Sequence, residues 1–282
     1  MKRIISYCTG GLGNRLRGLA SCAVIAEESG RELKIYWDTL VPKACLAPLD
    51  ELFENKLQTI TSEELLKLED YKMCVNQYDA DRESWKFKNN TLSILSQKYG
   101  TAGKHSYVPH DNQENILVFN IEFLNGINLE KSHDFIRSLK PIKKIQENID
   151  RDKKELGLNK GVIGIHARGI DFRNSNVSTY INQMKPYLQR NPKQKFFIST
   201  EDASYQEAIV REFPDNVLVR RKKEYVKKID ESVAWVETNF RRTKKLVQDA
   251  VEDMFLLSET SIEIYNDVST FNELARILSK KK

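Results

Sequence analysis

Apolar and polar positions alternate through Arg3–Tyr7, with β-branched residues among them, and this short period predicts a strand. From Asn14 to Ser29 the period lengthens: Leu16, Leu19, Ala20, Ala23, Val24 and Ala26 recur at helical spacing. Gly30 stands where a helix cap is expected, and LKIYW at Leu33–Trp37 predicts the next strand. Strand, glycine turn, helix and strand in this order make a βαβ unit, whose crossover in a parallel sheet is right-handed. The turn therefore lies at the carboxyl end of the first strand, where α/β folds bind ligands.

The pattern weakens after Pro42. DELFENKL and SEELLKLED read as helical, KMCVN as a strand, and KYGTAGKHSYVPHDNQEN as a polar loop. ILVFN at Ile116–Asn120 predicts a buried strand, and residues 132–161 read as one helix closing on a glycine-containing hinge. The second half alternates more cleanly. GVIGIHAR, KFFIST, NVLVR and SIEIYN are strands; VSTYINQMKPYLQR, ASYQEAIVREF, TKKLVQDAVEDMFLLSE and STFNELARILSK are helices. The expected fold class is α/β, with one Rossmann-like domain over residues 1–145 and a second over 146–282.

Composition narrows the function. With 282 residues and 40% apolar content the chain can bury a sizeable core, near the length at which cores divide. Forty-five Lys and Arg against 40 Asp and Glu give a formal charge of +5, which suits a small anionic ligand and is too weak to argue for nucleic acid. Cys8, Cys22, Cys45 and Cys74 form no CxxC pair and have no histidine cluster beside them, so they read as reduced thiols rather than zinc ligands. MKRIISY is too short for the apolar region of a signal peptide, and no window approaches the roughly 18 apolar residues of a membrane span. A soluble, cytoplasmic protein is expected.

Three constellations carry candidate chemistry. GGLGNR, Gly10–Arg15, combines backbone freedom with a helix start, which suits close approach to a phosphate, but it lacks the Walker lysine and is equally a bare tight turn. IGIHARGIDF places His166 and Arg168 on one face at a strand end, with Asp171 three residues on. Arginine suits a diphosphate because its planar fork donates two hydrogen bonds and stays charged, although an Arg168–Asp171 pair could equally be structural. Thr200 to Asp202 and Ser269 to Thr270 each follow a strand and precede a helix, where hydroxyls hold phosphate oxygens or serve as ordinary N-caps.

Four segments in this order, GGLGNRLRGLA, HARGIDF, FFISTED and AVEDMFLLSETSIEIYNDVSTFNELA, resemble the fucosyltransferase superfamily that includes the nodulation alpha-1,6-fucosyltransferases and the protein O-fucosyltransferases. Together they span nearly the whole chain, and residues 40–155 contribute almost nothing. The resemblance implies a GT-B fold: two Rossmann-like domains facing across a cleft, the first on the acceptor side and the second binding the donor. It implies inverting transfer of L-fucose from GDP-fucose to an oligosaccharide or other glycan, with no cofactor and no metal ion. No Asp-x-Asp stands at a strand end, and DAD at 79–81 lies in a polar loop.

By position, the resemblance assigns Arg168 to the β-phosphate and the leaving-group charge, and His166 to orienting the donor. Ser269, Thr270 and Phe271 match the segment around the phosphates. Gly11, Gly13, Asn14 and Arg15 match the first-domain loop facing the donor, and Asn14 is carried as catalytic with Arg168, His166 and Asp171. Asp253 matches acidic contacts to the guanine or their support, with Thr200 and Asp202 beside it. One departure stands out: many relatives have a second arginine after Arg168, where this chain has Gly169, leaving Arg15, Arg17 and Arg173 as replacements. Asp171 and Asp38 both remain candidate bases. A transferase for another nucleotide sugar, a sulfo- or phosphotransferase, and a non-catalytic carbohydrate- or nucleotide-binding module stay open as alternatives. The acceptor and the oligomeric state are not written in these patterns.

Overall fold

The protein is described by a computed structural model over residues 2–39, 45–68, 71–75, 114–119, 123–124, 126–169, 176–227, 242–264 and 269–280. Its contacts divide the chain into two units, one of Met1–Val41 with Asn55–Leu139, the other of Pro42–Glu54 with Lys140–Lys282.

In the first unit β1 (Arg3–Cys8) leads through Gly10 and Gly11 into α1 (Leu12–Ser29), and Gly30, at φ 63°, ends the helix by accepting the left-handed conformation. β2 (Glu32–Trp37), the short helix α2 (Ser62–Lys67), β3 (Tyr71–Val75), β4 (Asn115–Phe119) and α3 (Leu129–Ser138) complete it. The four strands form a parallel sheet in the order β2-β1-β4-β3, with Tyr7 opposite both Tyr36 and Phe119. The two-residue strand period sorts the core. Ile5, Tyr7, Leu117 and Phe119 pack with Leu65 of α2 on one face, while Ile4, Ile116 and Val118 pack with Cys22, Ile25 and Ala26 of α1 on the other.

The second unit holds α4 (Lys143–Leu156), β5 (Ile163–His166), α5 (Val177–Arg190), β6 (Phe196–Ser199), α6 (Ala203–Glu212), β7 (Val217–Val219), α7 (Lys244–Ser258), β8 (Ser261–Ile264) and α8 (Thr270–Ser279). Its sheet is parallel in the order β7-β6-β5-β8. Helices α5 and α6 cover one face through Tyr180, Met184 and Ile209. Behind β5, Gly164 has no side chain because Leu257 and Thr260, at the end of α7, occupy the place of a Cβ.

Each unit is thus a helix-covered parallel α/β layer. Two features differ from the sequence pattern. Residues 132–161 form two helices, α3 and α4, because Pro141 supplies no amide and pushes Lys140 away from the helical region. DELFENKL forms only a single 3-10 turn at Leu49–Glu51, and its surroundings pack with the second unit: Phe53 bridges Pro141, and the Ile142 amide donates to Leu52 O at 3.1 Å. The division by contacts accordingly falls at Leu139/Lys140 with 42–54 grouped to the second unit, whereas the sequence pattern sets 1–145 against 146–282.

Candidate functional site

Three strand ends of the second unit place the polar groups. His166 closes β5 opposite Ser199, and its Nδ1 lies 3.1 Å from Ser269 Oγ. Ser269 is the N-cap of α8, and its Oγ accepts the Asn272 amide at 3.4 Å. The serine hydroxyl donates to Nδ1 in one tautomer of the neutral ring and accepts from Nδ1–H in the other, its oxygen having a second lone pair. The imidazole ring lies against Phe271 with centroids 4.5 Å apart. Burial, helped by the Arg168 charge, pushes the His166 pKa down to about 4, so the ring is neutral at pH 7.

Arg168, half-buried, follows on the same side of the strand end, and Thr270 opens α8 behind its Ser269 cap. A neutral imidazole and the start of a ten-residue helix therefore meet at the end of β5, with the Arg168 cation two residues on. Such a set binds phosphate oxygens through charge-assisted hydrogen bonds and free backbone amides.

The β6 end has a supporting character. Thr200 is buried; its Oγ1 accepts the Asp202 amide at 3.2 Å and its carbonyl accepts Lys222 Nζ at 2.7 Å. Asp202 caps α6, accepting from the Ser204 amide at 2.9 Å and the Ser204 hydroxyl at 2.6 Å. Asp253 on α7 is 2% exposed and fully engaged: it accepts from Arg220 at 2.6 Å, Lys222 at 2.6 Å and Ser199 Oγ at 2.9 Å. Burial pushes its pKa up, and the Lys222 and Arg220 charges more than reverse this, holding it below the ordinary carboxylate value.

This network is what the sequence pattern missed. Arg220, 5% exposed, meets four carboxylates, from Asp152, Asp249, Glu252 and Asp253, and Asn148 donates to Glu252 at 2.8 Å. The run RRKK reads as a solvated charged face. The available signal was on the partner helix, where Asp249, Glu252 and Asp253 share one face of an otherwise apolar segment.

In the first unit the glycine turn keeps Gly10 at φ 77°, and Gly11 caps α1 without any side-chain bond. Arg15 is fully buried. Its Nε donates to Gly10 O at 2.7 Å, its Nη1 to Cys8 O at 3.0 Å, and its guanidinium sits 5.0 Å from the Trp37 ring centroid. It braces the turn from inside rather than presenting charge outward. Asn14 is half-buried, Gly13 is buried, and Asp38 is buried with Oδ2 accepting from the Tyr7 hydroxyl at 3.1 Å.

The structure thus brings His166, Arg168, Ser269, Thr270 and Phe271 together, sets Thr200, Asp202 and Asp253 in the frame beside them, and gathers Gly11, Gly13, Asn14 and Arg15 at the end of β1. Asp171, Arg173 and the DAD stretch lie outside the described residues. Among the described residues no cluster of His, Cys, Asp and Glu could hold a metal ion, and no helix is long and apolar enough to cross a membrane.

Neither a protein-family model nor a curated protein sequence matches the chain. Solved structures do match in fold. A NodZ alpha-1,6-fucosyltransferase co-crystallized with GDP aligns with a TM-score of 0.63 at 18% identity, over 98% of this chain and 92% of that one. Fucosyltransferase NodZ from Bradyrhizobium aligns with a TM-score of 0.61 at 19% identity, over 98% and 93%. POFUT1 in complex with GDP-fucose aligns with a TM-score of 0.58 at 13% identity, over 98% and 93%. At these identities the likeness is one of fold, carried along the whole chain.

Proposed function

We propose that this chain is a glycosyltransferase moving L-fucose from GDP-fucose to an oligosaccharide or other glycan acceptor, with inversion and without a metal ion. The observation that carries the reading is the junction of β5 and α8, where His166 is bonded to Ser269 beside Arg168. Its support is that this junction occurs in a chain sharing its fold, end to end, with proteins crystallized with GDP and GDP-fucose.

In this reading Arg168 and the first amides of α8 bind the diphosphate, and His166 orients the donor. As the bond from the anomeric carbon to the β-phosphate oxygen breaks, negative charge grows on that oxygen, where Arg168 already stands; such preorganised charge is worth most at that moment. The acceptor hydroxyl forms the new bond on the opposite face of the sugar and gives up its proton to water, while the electron pair of the broken bond leaves with GDP. Because the sugar becomes cationic before attack is complete, little base strength is demanded of the protein. Gly11, Gly13 and Asn14 are proposed as further donor contacts, with Arg15 as their internal brace. Thr200, Asp202 and Asp253 support the donor-binding strand ends.

Calorimetric titration with GDP, UDP and ADP, followed by a transfer assay from GDP-fucose with and without EDTA, tests the reading. GDP is expected to bind most tightly and EDTA to leave turnover unchanged. Tighter binding of UDP would remove the GDP-fucose assignment.

A further inference from the structure

The ladder between β5 and β6 ends just before Arg168. His166 pairs with Ser199, and the Ala167 amide donates to Ser199 O at 2.9 Å. Beyond Ser199 the neighbouring chain turns into α6. On the β6 side the ladder bonds stop at Ala167, and main-chain groups that leave a ladder inside a protein need partners. The amide and carbonyl of Arg168 meet the same atom, the hydroxyl of Tyr180 on α5. The Arg168 amide donates to it at 3.1 Å, and the hydroxyl donates back to the Arg168 carbonyl at 3.5 Å.

Tyr180 is well placed to hold a fixed point. It is 5% exposed, with its ring in the core formed by Ile165, Met184 and Ile198. Burial pushes its phenol pKa up, which keeps the proton on the oxygen and lets it accept and donate together. The next residue is held from another side. A Cβ on Gly169 would lie 2.7 Å from Asp202 Oδ2 and 3.1 Å from the Tyr205 ring, so any other residue there would push on both α6 side chains. Tyr205 in turn meets Tyr180 edge-on, with ring centroids 6.4 Å apart. Two helices thus hold the main chain from which the Arg168 side chain departs, with Gly169 leaving room for the Asp202 and Tyr205 side chains.

We propose that Tyr180 is a positioning residue for Arg168: its hydroxyl anchors the main chain from which the guanidinium reaches the β-phosphate of the donor. This rests on the reading of Arg168 given above. An arginine root displaced by even a fraction of an ångström loses the geometry of a two-pronged contact, while the rest of the nucleotide is untouched.

The test compares GDP with GMP, which lacks the β-phosphate, by calorimetry on the full chain. Wild type is expected to prefer GDP, and Arg168→Ala to cut the GDP-to-GMP affinity ratio about tenfold or more. Tyr180→Phe keeps the ring in the core and removes only the hydroxyl. It is expected to weaken GDP about three- to tenfold while leaving GMP within about twofold, and the double variant to match Arg168→Ala alone, because the tyrosine acts through the arginine. A purely structural role would weaken both nucleotides alike. An unchanged ratio in Tyr180→Phe, with the ratio lost in Arg168→Ala, overturns the positioning role. No GDP preference in wild type, or no effect of Arg168→Ala, overturns the reading of Arg168 beneath it. Should Tyr180→Phe not fold, Gly169→Ala loads the same anchor from the α6 side and must produce the same selective loss; an unchanged ratio there counts equally against the proposal.

Discussion

His166 Nδ1 and Ser269 Oγ, 103 positions apart in the chain, stand 3.1 Å from each other and join the end of β5 to the head of α8. The imidazole that makes this bond is neutral at pH 7, and its burial opposes the uptake of a second proton.

Acid should therefore loosen this junction. His166 has a folded pKa of about 4, below its ordinary value of 6.5, so between these values the unfolded chain binds more protons. Stability then rises with pH across this window and is indifferent to His166 above about pH 6.5. Urea unfolding at stepped pH should show a midpoint that falls from pH 6.5 to 5 in wild type and falls less steeply in His166→Gln. Parallel slopes would remove His166 as the cause.

Arg168 is half-buried just past a strand end, so Arg168→Ala should leave thermal unfolding close to wild type. In the proposed transfer it meets the leaving group, and its loss should lower turnover about 100-fold or more. Steady-state rates with GDP-fucose, beside an unfolding curve, separate the two effects. Activity within a few-fold of wild type would take the arginine out of the reaction.

Asp253→Ala should act on stability first. It leaves Lys222 and Arg220, both buried, without one shared carboxylate, and breaking a buried ion pair from one side costs about 3–5 kcal/mol. Chemical denaturation should show a loss of this order, with residual nucleotide binding confined to the folded fraction. A loss under about 1 kcal/mol would mean that water reaches these cations more freely than their burial suggests.

Arg15→Lys keeps the charge but cannot bond the Cys8 and Gly10 carbonyls together from one planar group. Stability should drop by about 1–3 kcal/mol for the carbonyls and guanidinium contacts left unmet. GDP affinity should stay within about twofold in calorimetry, since the native guanidinium is turned inward. A large selective loss of GDP binding would return Arg15 to the role of a direct contact.

The contrast between Arg15 and Arg168 shows where the sequence was legible and where it was not. Local periodicity fixed α1, α5, α6, α7 and α8 and the strands beside them, because a covered parallel sheet imposes its periods on every element. The pairing of His166 and Arg168 at a strand end was also readable, since it needs only alternation along β5. The direction of an arginine is different: whether it faces inward depends on carbonyls five and seven positions away that bend back to meet it. Arg220 was hidden for the same reason, its four carboxylates being scattered from Asp152 to Asp253. Pro141, by contrast, was visible in the sequence and broke the helix that the apolar period alone had suggested.

The short excursion from Pro42 to Glu54 bears on how the chain is made. It belongs by contact to the second unit, yet it is synthesised before most of the first. Leu52 and Phe53, fully buried in the finished protein, meet Pro141 and Ile142, which emerge from the ribosome some ninety positions later. At about 5–20 residues per second those apolar side chains wait several seconds for their partners. A clone beginning at Lys140 would lack them altogether, so separating the halves at one cut sacrifices part of the second unit's own core, and an intact second unit would need residues 42–54 spliced back onto it.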